Sequence, residues 1–172
     1  KTIPLKLNIV SLQVDSIFEK AEETFKNKVL PLTKLINEKE KLDVMVLPEL
    51  ALTGYDHKTK ENFEKVAEFQ TKGINFDWAS LLAKTFNCYV VLGYPEKIET
   101  EDGLKFYNSA YIIDRTGKLL ENYRKILLFE VDQRYCSEGE KRPVLELKNH
   151  EGRTFKVRNW IIQGWDWNMH GY

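Results

Sequence analysis

Asp43-Val44-Met45-Val46-Leu47-Pro48-Glu49-Leu50-Ala51-Leu52-Thr53-Gly54-Tyr55 is the stretch on which the reading of this chain turns. The unbroken apolar run Val44 to Leu47 predicts a strand buried on both faces. Pro48 has no N–H to donate and ends the ladder. A carboxylate follows at once, and Thr53-Gly54-Tyr55 signals a turn close behind it. Glu49 is thereby expected at the carboxyl end of a central strand, where open α/β sheets hold their ligands.

Working outward, Leu5 to Val14 alternates polar and apolar residues before turning mostly apolar, which predicts a first strand. Ser16 with Glu19 reads as a capping box. The helix it would open carries an apolar stripe of Ile17, Phe18, Ala21, Phe25, Val29, Leu32 and Ile36, kinked or divided by Pro31. The charged run Glu38 to Lys41 reads as its solvated end. Downstream of Tyr55, Lys58 to Lys72 is polar, helix or loop. Asp77 to Phe86 predicts an amphipathic helix with Trp78, Leu81, Leu82 and Phe86 inward and Asn87 as its stop. Cys88 to Tyr94 reads as a buried strand, with Cys88 a core residue. Phe106 to Asp114 and Lys118 to Tyr123 flank Arg115-Thr116-Gly117, a hairpin turn. No repeat and no low-complexity linker interrupts the pattern, so a single layered α/β domain over 1–172 is expected.

The bulk numbers narrow the function. A chain of 172 residues, 42% hydrophobic and 30% charged, has the composition of a globular fold with a core. Its 26 basic residues balance its 26 acidic ones, which argues against a nucleic-acid partner. No apolar run reaches membrane length and no signal-peptide pattern opens the chain at Lys1, so no membrane partner is expected. Two cysteines, Cys88 and Cys136, make no disulfide framework, and a reducing, cytoplasmic setting follows. His57, His150 and His170 lack ligand spacing, and no glycine-rich phosphate loop exists; neither metal nor cofactor is implied.

A second segment sharpens the reading: Asn122-Tyr123-Arg124-Lys125-Ile126-Leu127-Leu128 delivers Lys125 just past the second hairpin strand. A buried carboxylate and a buried ammonium rarely improve stability over apolar packing, so a pocket holding both suggests chemistry. The two segments together resemble the nitrilase (carbon–nitrogen hydrolase) superfamily, from the first strand to about Lys156. With Gly93-Tyr94-Pro95-Glu96 and Tyr107-Asn108-Ser109-Ala110, the chain looks most like the fungal-type protein N-terminal asparagine/glutamine amidase branch. The resemblance implies an α-β-β-α sandwich, truncated here before its C-terminal strands and helices, and association of copies through sheet-layer faces. It implies an amide substrate, with protein N-termini as the specific case and a small-molecule omega-amidase-like activity as the alternative. It assigns Glu49 as general base and then acid, Lys125 as the cation that steadies the oxyanion, Glu138 as a second acid, and a Cys thiolate as nucleophile.

That thiol is missing. The family's nucleophile segment, G-I-C-M-D-like, falls in Val157 to Tyr172, and aligned on Asp166 the nucleophile position is Gly164. Cys136 lies in a loop, without the strand-to-helix turn that would aim and activate a sulfur. Trp160, Trp165 and Trp167 crowd this tail, and Trp and Met have single codons. Read one base later, the codons for Gly164 to Tyr172 permit Gly-Gly-Ile-Gly-Ile-Cys-Met-Asp, with two glycines and the cysteine forced. Residues 157–172 are therefore expected to be out of frame, through a retained short intron or a frameshift; Val157-Arg158 can encode a GTAAG-type donor. As printed, the chain is expected to be inactive. The competing expectation is a genuine divergent tail on a non-catalytic relic that serves as an interaction module.

Overall fold

Parallel strands need a crossover of a dozen residues or more, and this chain makes two such crossovers before turning to hairpins. The computed structural model describes residues 4–37, 39–55 and 57–158. A five-stranded sheet runs in the order β1 (Ile9–Ser11), β2 (Val44–Val46), β3 (Tyr89–Thr100), β4 (Gly103–Ile113), β5 (Leu119–Arg124). β1, β2 and β3 are parallel, whereas β3–β4 and β4–β5 are antiparallel. A separate antiparallel hairpin, β6 (Val144–Lys148) with β7 (Thr154–Arg158), follows.

The strand alternation sorts side chains into two cores. Met45, Val90, Leu92, Tyr94, Tyr111 and Ile113 face the helices, where Phe25, Val29, Ala79 and Leu82 meet them. Val44, Val91, Ala110 and Ile112 face the other way, onto Leu147 and Phe155 of the β6–β7 hairpin. The expected layered α/β architecture is present: helices, sheet, then a further β layer.

The helical crossovers differ in detail from the sequence expectation. The first is α1 (Ala21–Thr24), a π turn (Phe25–Val29) and α2 (Leu30–Thr33) in one run. The N–H of Leu30 reaches back to the Phe25 carbonyl, and the widened turn lies immediately before Pro31, which the stripe pattern marked as the breaking point. The capping box is absent. Glu19 has a left-handed φ of 57°, the Ser16 hydroxyl donates to Ala51 O at 2.7 Å, and the backbone N–H of Glu19 donates to Thr53 O at 3.0 Å. Both residues of the expected box hold the turn after Glu49 instead.

The second crossover is α3 (Lys60–Val66), capped by the Thr59 side chain, and α4 (Ile74–Phe86), ended by Asn87 at φ 47°. Asn87 is the predicted stop. Leu82 is buried, but Leu81 is 44% exposed; the buried face of α4 runs through Ala79, Leu82 and Ala83, and Leu81 lies off it. Cys88 is a fully buried core residue as expected, and burial pushes its thiol up to about 12.

Glu68 ties α4 to the sheet. Its backbone bonds to Pro95 and Lys97 on β3, and both carboxylate oxygens accept the Asn75 N–H of the first turn of α4. Burial nonetheless outweighs those donors and raises its carboxyl from 4.5 to about 7. A carboxyl raised on folding favours the protonated folded state, so its contribution is complete below the unfolded value and is lost as pH rises through about 7. Unfolding free energy should therefore fall by up to about 3 kcal/mol between pH 4.5 and 8 from this group. Denaturant midpoints across that range should show the fall in the wild type and a flatter profile in Glu68→Gln.

Candidate functional site

Glu49 sits where the parallel part of the sheet runs out. Leu47 still bonds to β3, its N–H donating to Val91 O at 2.8 Å; Ala51 does so again, to Gly93 O at 3.0 Å. Between them Pro48 withholds a donor and the chain leaves the sheet. Leu50 then adopts a left-handed φ of 45°, an uncommon state for a branched side chain. Its side chain is anchored among Phe63, Ala67, Phe106 and Tyr135, and that burial offsets the backbone strain that aims Glu49. Gly93 completes the fit. A Cβ there would lie 2.7 Å from both Glu49 Cα and Pro48 O, so only glycine lets the acid-bearing turn lie against β3.

Lys125 follows the last residue of β5 and is pinned at both backbone groups. Its N–H donates to Asn108 O, and its carbonyl accepts from Gly139, both at 2.8 Å. Gly139 cannot carry a side chain, because a Cβ would run into the Arg124 carbonyl. Replacing it with Ala should loosen Lys125 and lower stability by about 1–3 kcal/mol, as overpacking does, read as a drop in the denaturant midpoint.

The two predicted residues meet. Lys125 Nζ donates to Glu49 Oε1 at 2.8 Å, and each residue is only 6% exposed. A second acid completes the group, and it is Asp132 at 5% exposure, not the expected Glu138. Lys125 Nζ donates to Asp132 Oδ2 at 2.8 Å. The Phe129 N–H shares Oδ2 at 3.2 Å. Glu138 is exposed, on a segment whose backbone is bound to Phe106 through Ser137 and to Lys125 through Gly139. That register brings the Gly139 N–H to the lysine and leaves the Glu138 carboxylate at the surface.

Asn108 on β4 braces both acids, its Nδ2 donating to Glu49 Oε1 at 2.5 Å and Asp132 Oδ1 at 3.2 Å. Tyr55 donates its hydroxyl to Glu49 Oε2 at 3.2 Å. Asn108 and Asp132 were missed as site residues. A signal for Asn108 existed, since Asn and Ser in the apolar run Phe106 to Ile113 are both fully buried polar residues. For Asp132 there was none, because it lies in an irregular segment where no periodicity applies.

One ammonium here faces two buried carboxylates, and the charge states follow. Burial pushes the Glu49 carboxyl up and Asp132 adds repulsion, while the attraction of Lys125 and the Asn108 donor only partly offset them. Glu49 is thus a stronger base than a solvated glutamate. Burial pulls Lys125 down, but attraction and hydrogen bonds from both acids outweigh it and hold the ammonium above the ordinary lysine range. The Cys136 thiol, on the same loop as Asp132, is pushed up by burial and then by the charge of Asp132, the opposite of what a reactive sulfur needs. Among the described residues, no three His, Cys, Asp or Glu side chains are grouped to hold a metal ion. No described helix is long and apolar enough to cross a membrane. A groove of about 470 Å³ runs along β1, lined by Leu7, Ile9, Leu12, Leu32, Leu35 and Ile36 among others; it shares no residue with the Glu49 group. Gly164, the aligned nucleophile position, lies outside the described residues, as does the rest of the tail from Asn159.

The layered α/β sheet thus carries a buried acid–lysine–acid group at its strand ends. The chain belongs to the carbon–nitrogen hydrolase family, whose model matches residues 6–153. It is 28% identical over 138 residues to the protein N-terminal amidase of Saccharomyces cerevisiae, covering 78% of this chain and 30% of that protein. It is 30% identical over 145 residues to the 2-oxoglutaramate amidase of Bacillus subtilis, covering 83% of this chain and 52% of that one. A crystal structure of an N-terminal amidase superposes with a TM-score of 0.76 at 25% identity, over 88% of this chain and 38% of that chain. The chain thus spans between about a third and a half of the length of these relatives. The superfamily resemblance, its N-terminal-amidase leaning and the α/β fold inferred from sequence are borne out.

Proposed function

We propose that this chain supplies the general base and the oxyanion-stabilising cation of an amidase that deamidates N-terminal Asn or Gln of proteins. The observation that carries the reading is the contact of 2.8 Å between Lys125 Nζ and Glu49 Oε1 inside a buried site. In this mechanism a cysteine thiol gives its proton to Glu49 and attacks the side-chain amide carbon. Lys125 steadies the oxygen as it becomes negative. Glu49 returns the proton to the departing nitrogen, ammonia leaves, and water drawn by Glu49 hydrolyses the thioester. Asp132 takes the place assigned to the second acid, holding Lys125 charged and in register. The thiol comes from the alternative reading frame of the segment after Lys156, and a thiol nucleophile suits a reducing, cytoplasmic setting.

The N-terminal leaning is supported by relatives solved with Asn-Glu-Ala and Gln-Val peptides. A second reading, cleavage of a small free amide, draws on the likeness to a 2-oxoglutaramate amidase. A third, a non-catalytic relic, draws on the printed chain itself, whose cysteines are Cys88 and Cys136 alone. Two measurements separate them. Sequencing of the mature message across the Lys156 codon should find a form encoding the cysteine; an uninterrupted Trp-rich frame alone points to the relic. Protein translated from the cysteine form should release ammonia from a peptide beginning with Asn, and far less when that N-terminus is acetylated. A preference for a small dicarboxylic monoamide over the peptide sinks the N-terminal assignment.

A further inference from the structure

We propose that Tyr55 is a positioning residue for Glu49, its hydroxyl holding Oε2 so that the buried carboxyl stays ionised and oriented. The inference rests on the reading of Glu49 as general base and names what tunes that base. The two carboxylate oxygens are not equivalent. Oε1 is occupied by Lys125 Nζ and Asn108 Nδ2. Oε2 accepts the Tyr55 hydroxyl at 3.2 Å, and among the described residues no second donor reaches it. Oε2 is therefore the oxygen left to take up a proton, and the phenol governs it.

Tyr55 is presented on a braced turn. Thr53 and Gly54 donate their N–H groups to Leu50 O, and the Ser16 hydroxyl donates to Ala51 O. The His57 N–H donates to Tyr55 O at 2.8 Å. The His57 ring bonds to Gly54 O through Nε2 and sits fully buried between Phe18 and Phe63, with centroids 5.2 and 5.3 Å away. Tyr55 itself is 42% exposed, so a fixed backbone carries a reachable ring. Desolvation of its hydroxyl and the charge of Glu49 raise its pKa well above the ordinary tyrosine value, and it remains a donor through neutral pH. The other groups facing Glu49 are Lys125, which favours the ionised form, Asp132, which opposes it, Asn108, which donates, and the neutral Cys136 thiol. Tyr55 is the donor that a substitution removes from Oε2 while leaving Lys125 and Asn108 in place on Oε1.

A buried carboxylate that loses a donor is harder to ionise. Tyr55→Phe should raise the titration midpoint of Glu49 by about one pH unit. The readout is carboxyl ¹³C NMR of the 172-residue chain, with Glu49→Gln assigning the resonance and the amide spectrum reporting folding. It needs no turnover, so a failure to hydrolyse amides and a failure of this inference are told apart. An unmoved midpoint in folded Tyr55→Phe overturns the proposal. Should that variant not fold, 3-fluorotyrosine placed at position 55 keeps the ring and makes a stronger donor. It should lower the midpoint, and no change or a rise overturns the proposal equally.

Discussion

Replacing Lys125 with Met should lower the unfolding free energy by about 3–5 kcal/mol at pH 8, because removing one partner strands buried charge, and by clearly less at pH 5. The reason is the geometry around the ammonium. Glu49 and Asp132 each bond to Lys125 Nζ at 2.8 Å, and the same Asn108 amide nitrogen donates to both. Without the lysine, two carboxylates face each other across one Asn with little water. Like charges so placed cannot both stay ionised, and one takes up a proton. Its folded pKa then lies above the unfolded one, so the variant regains stability as pH falls and loses it as pH rises. Denaturant unfolding at the two pH values measures this. Equal losses at both, or no loss at either, would show that the acids do not share the cation. The companion variant Lys125→Met with Glu49→Gln should recover part of the loss at pH 8.

Gly93→Ala should lower stability and disturb the Glu49 carboxylate in one step. An added Cβ lies 2.7 Å from Glu49 Cα and Pro48 O and 2.8 Å from Leu50 N, and all three are backbone atoms that no rotamer change can move. Overpacking of this kind costs about 1–3 kcal/mol. The strand can respond only by pushing the Glu49 turn off β3, which breaks the Ala51 N–H bond to Gly93 O and carries the carboxylate from Lys125 and Asn108. The expected result is a lowered denaturant midpoint together with a changed Glu49 carboxyl titration. A variant with wild-type stability and an unmoved Glu49 resonance would mean that the turn is not seated as described.

The fold was legible wherever side-chain period and punctuation agreed. Val44 to Leu47, the Asn87 stop and the Arg115-Thr116-Gly117 hairpin all emerged from local rules, because burial on both faces, a left-handed cap and a tight turn each demand particular residues. The helix start at Ser16 and Glu19 did not, since those residues serve a tertiary contact with the turn after Glu49 that no local pattern encodes. Leu81 was misplaced because two adjacent leucines gave no periodic preference. At the site, Glu49 and Lys125 were legible through resemblance and through their places at strand ends. Asp132 displaced Glu138 because the loop after Lys125 folds back through a short 3-10 turn, Asp132–Arg134. Counting acids along a sequence cannot show which one that fold-back delivers to the ammonium.

The proposed pairing of Glu49 and Lys125 in one proton transfer is read most directly by turnover. In protein carrying the cysteine-encoding segment, ammonia release from an Asn-initiated peptide should fall by about 10²–10⁴-fold in kcat/KM for Glu49→Gln, the range expected for loss of a general base. Lys125→Met should fall by about 10²–10³-fold, as loss of an oxyanion donor does. The double variant should lose much less than the product of the two, because they act as a unit. Turnover within about tenfold of the parent in a folded Glu49→Gln protein would contradict the account, since a general base contributes more than that.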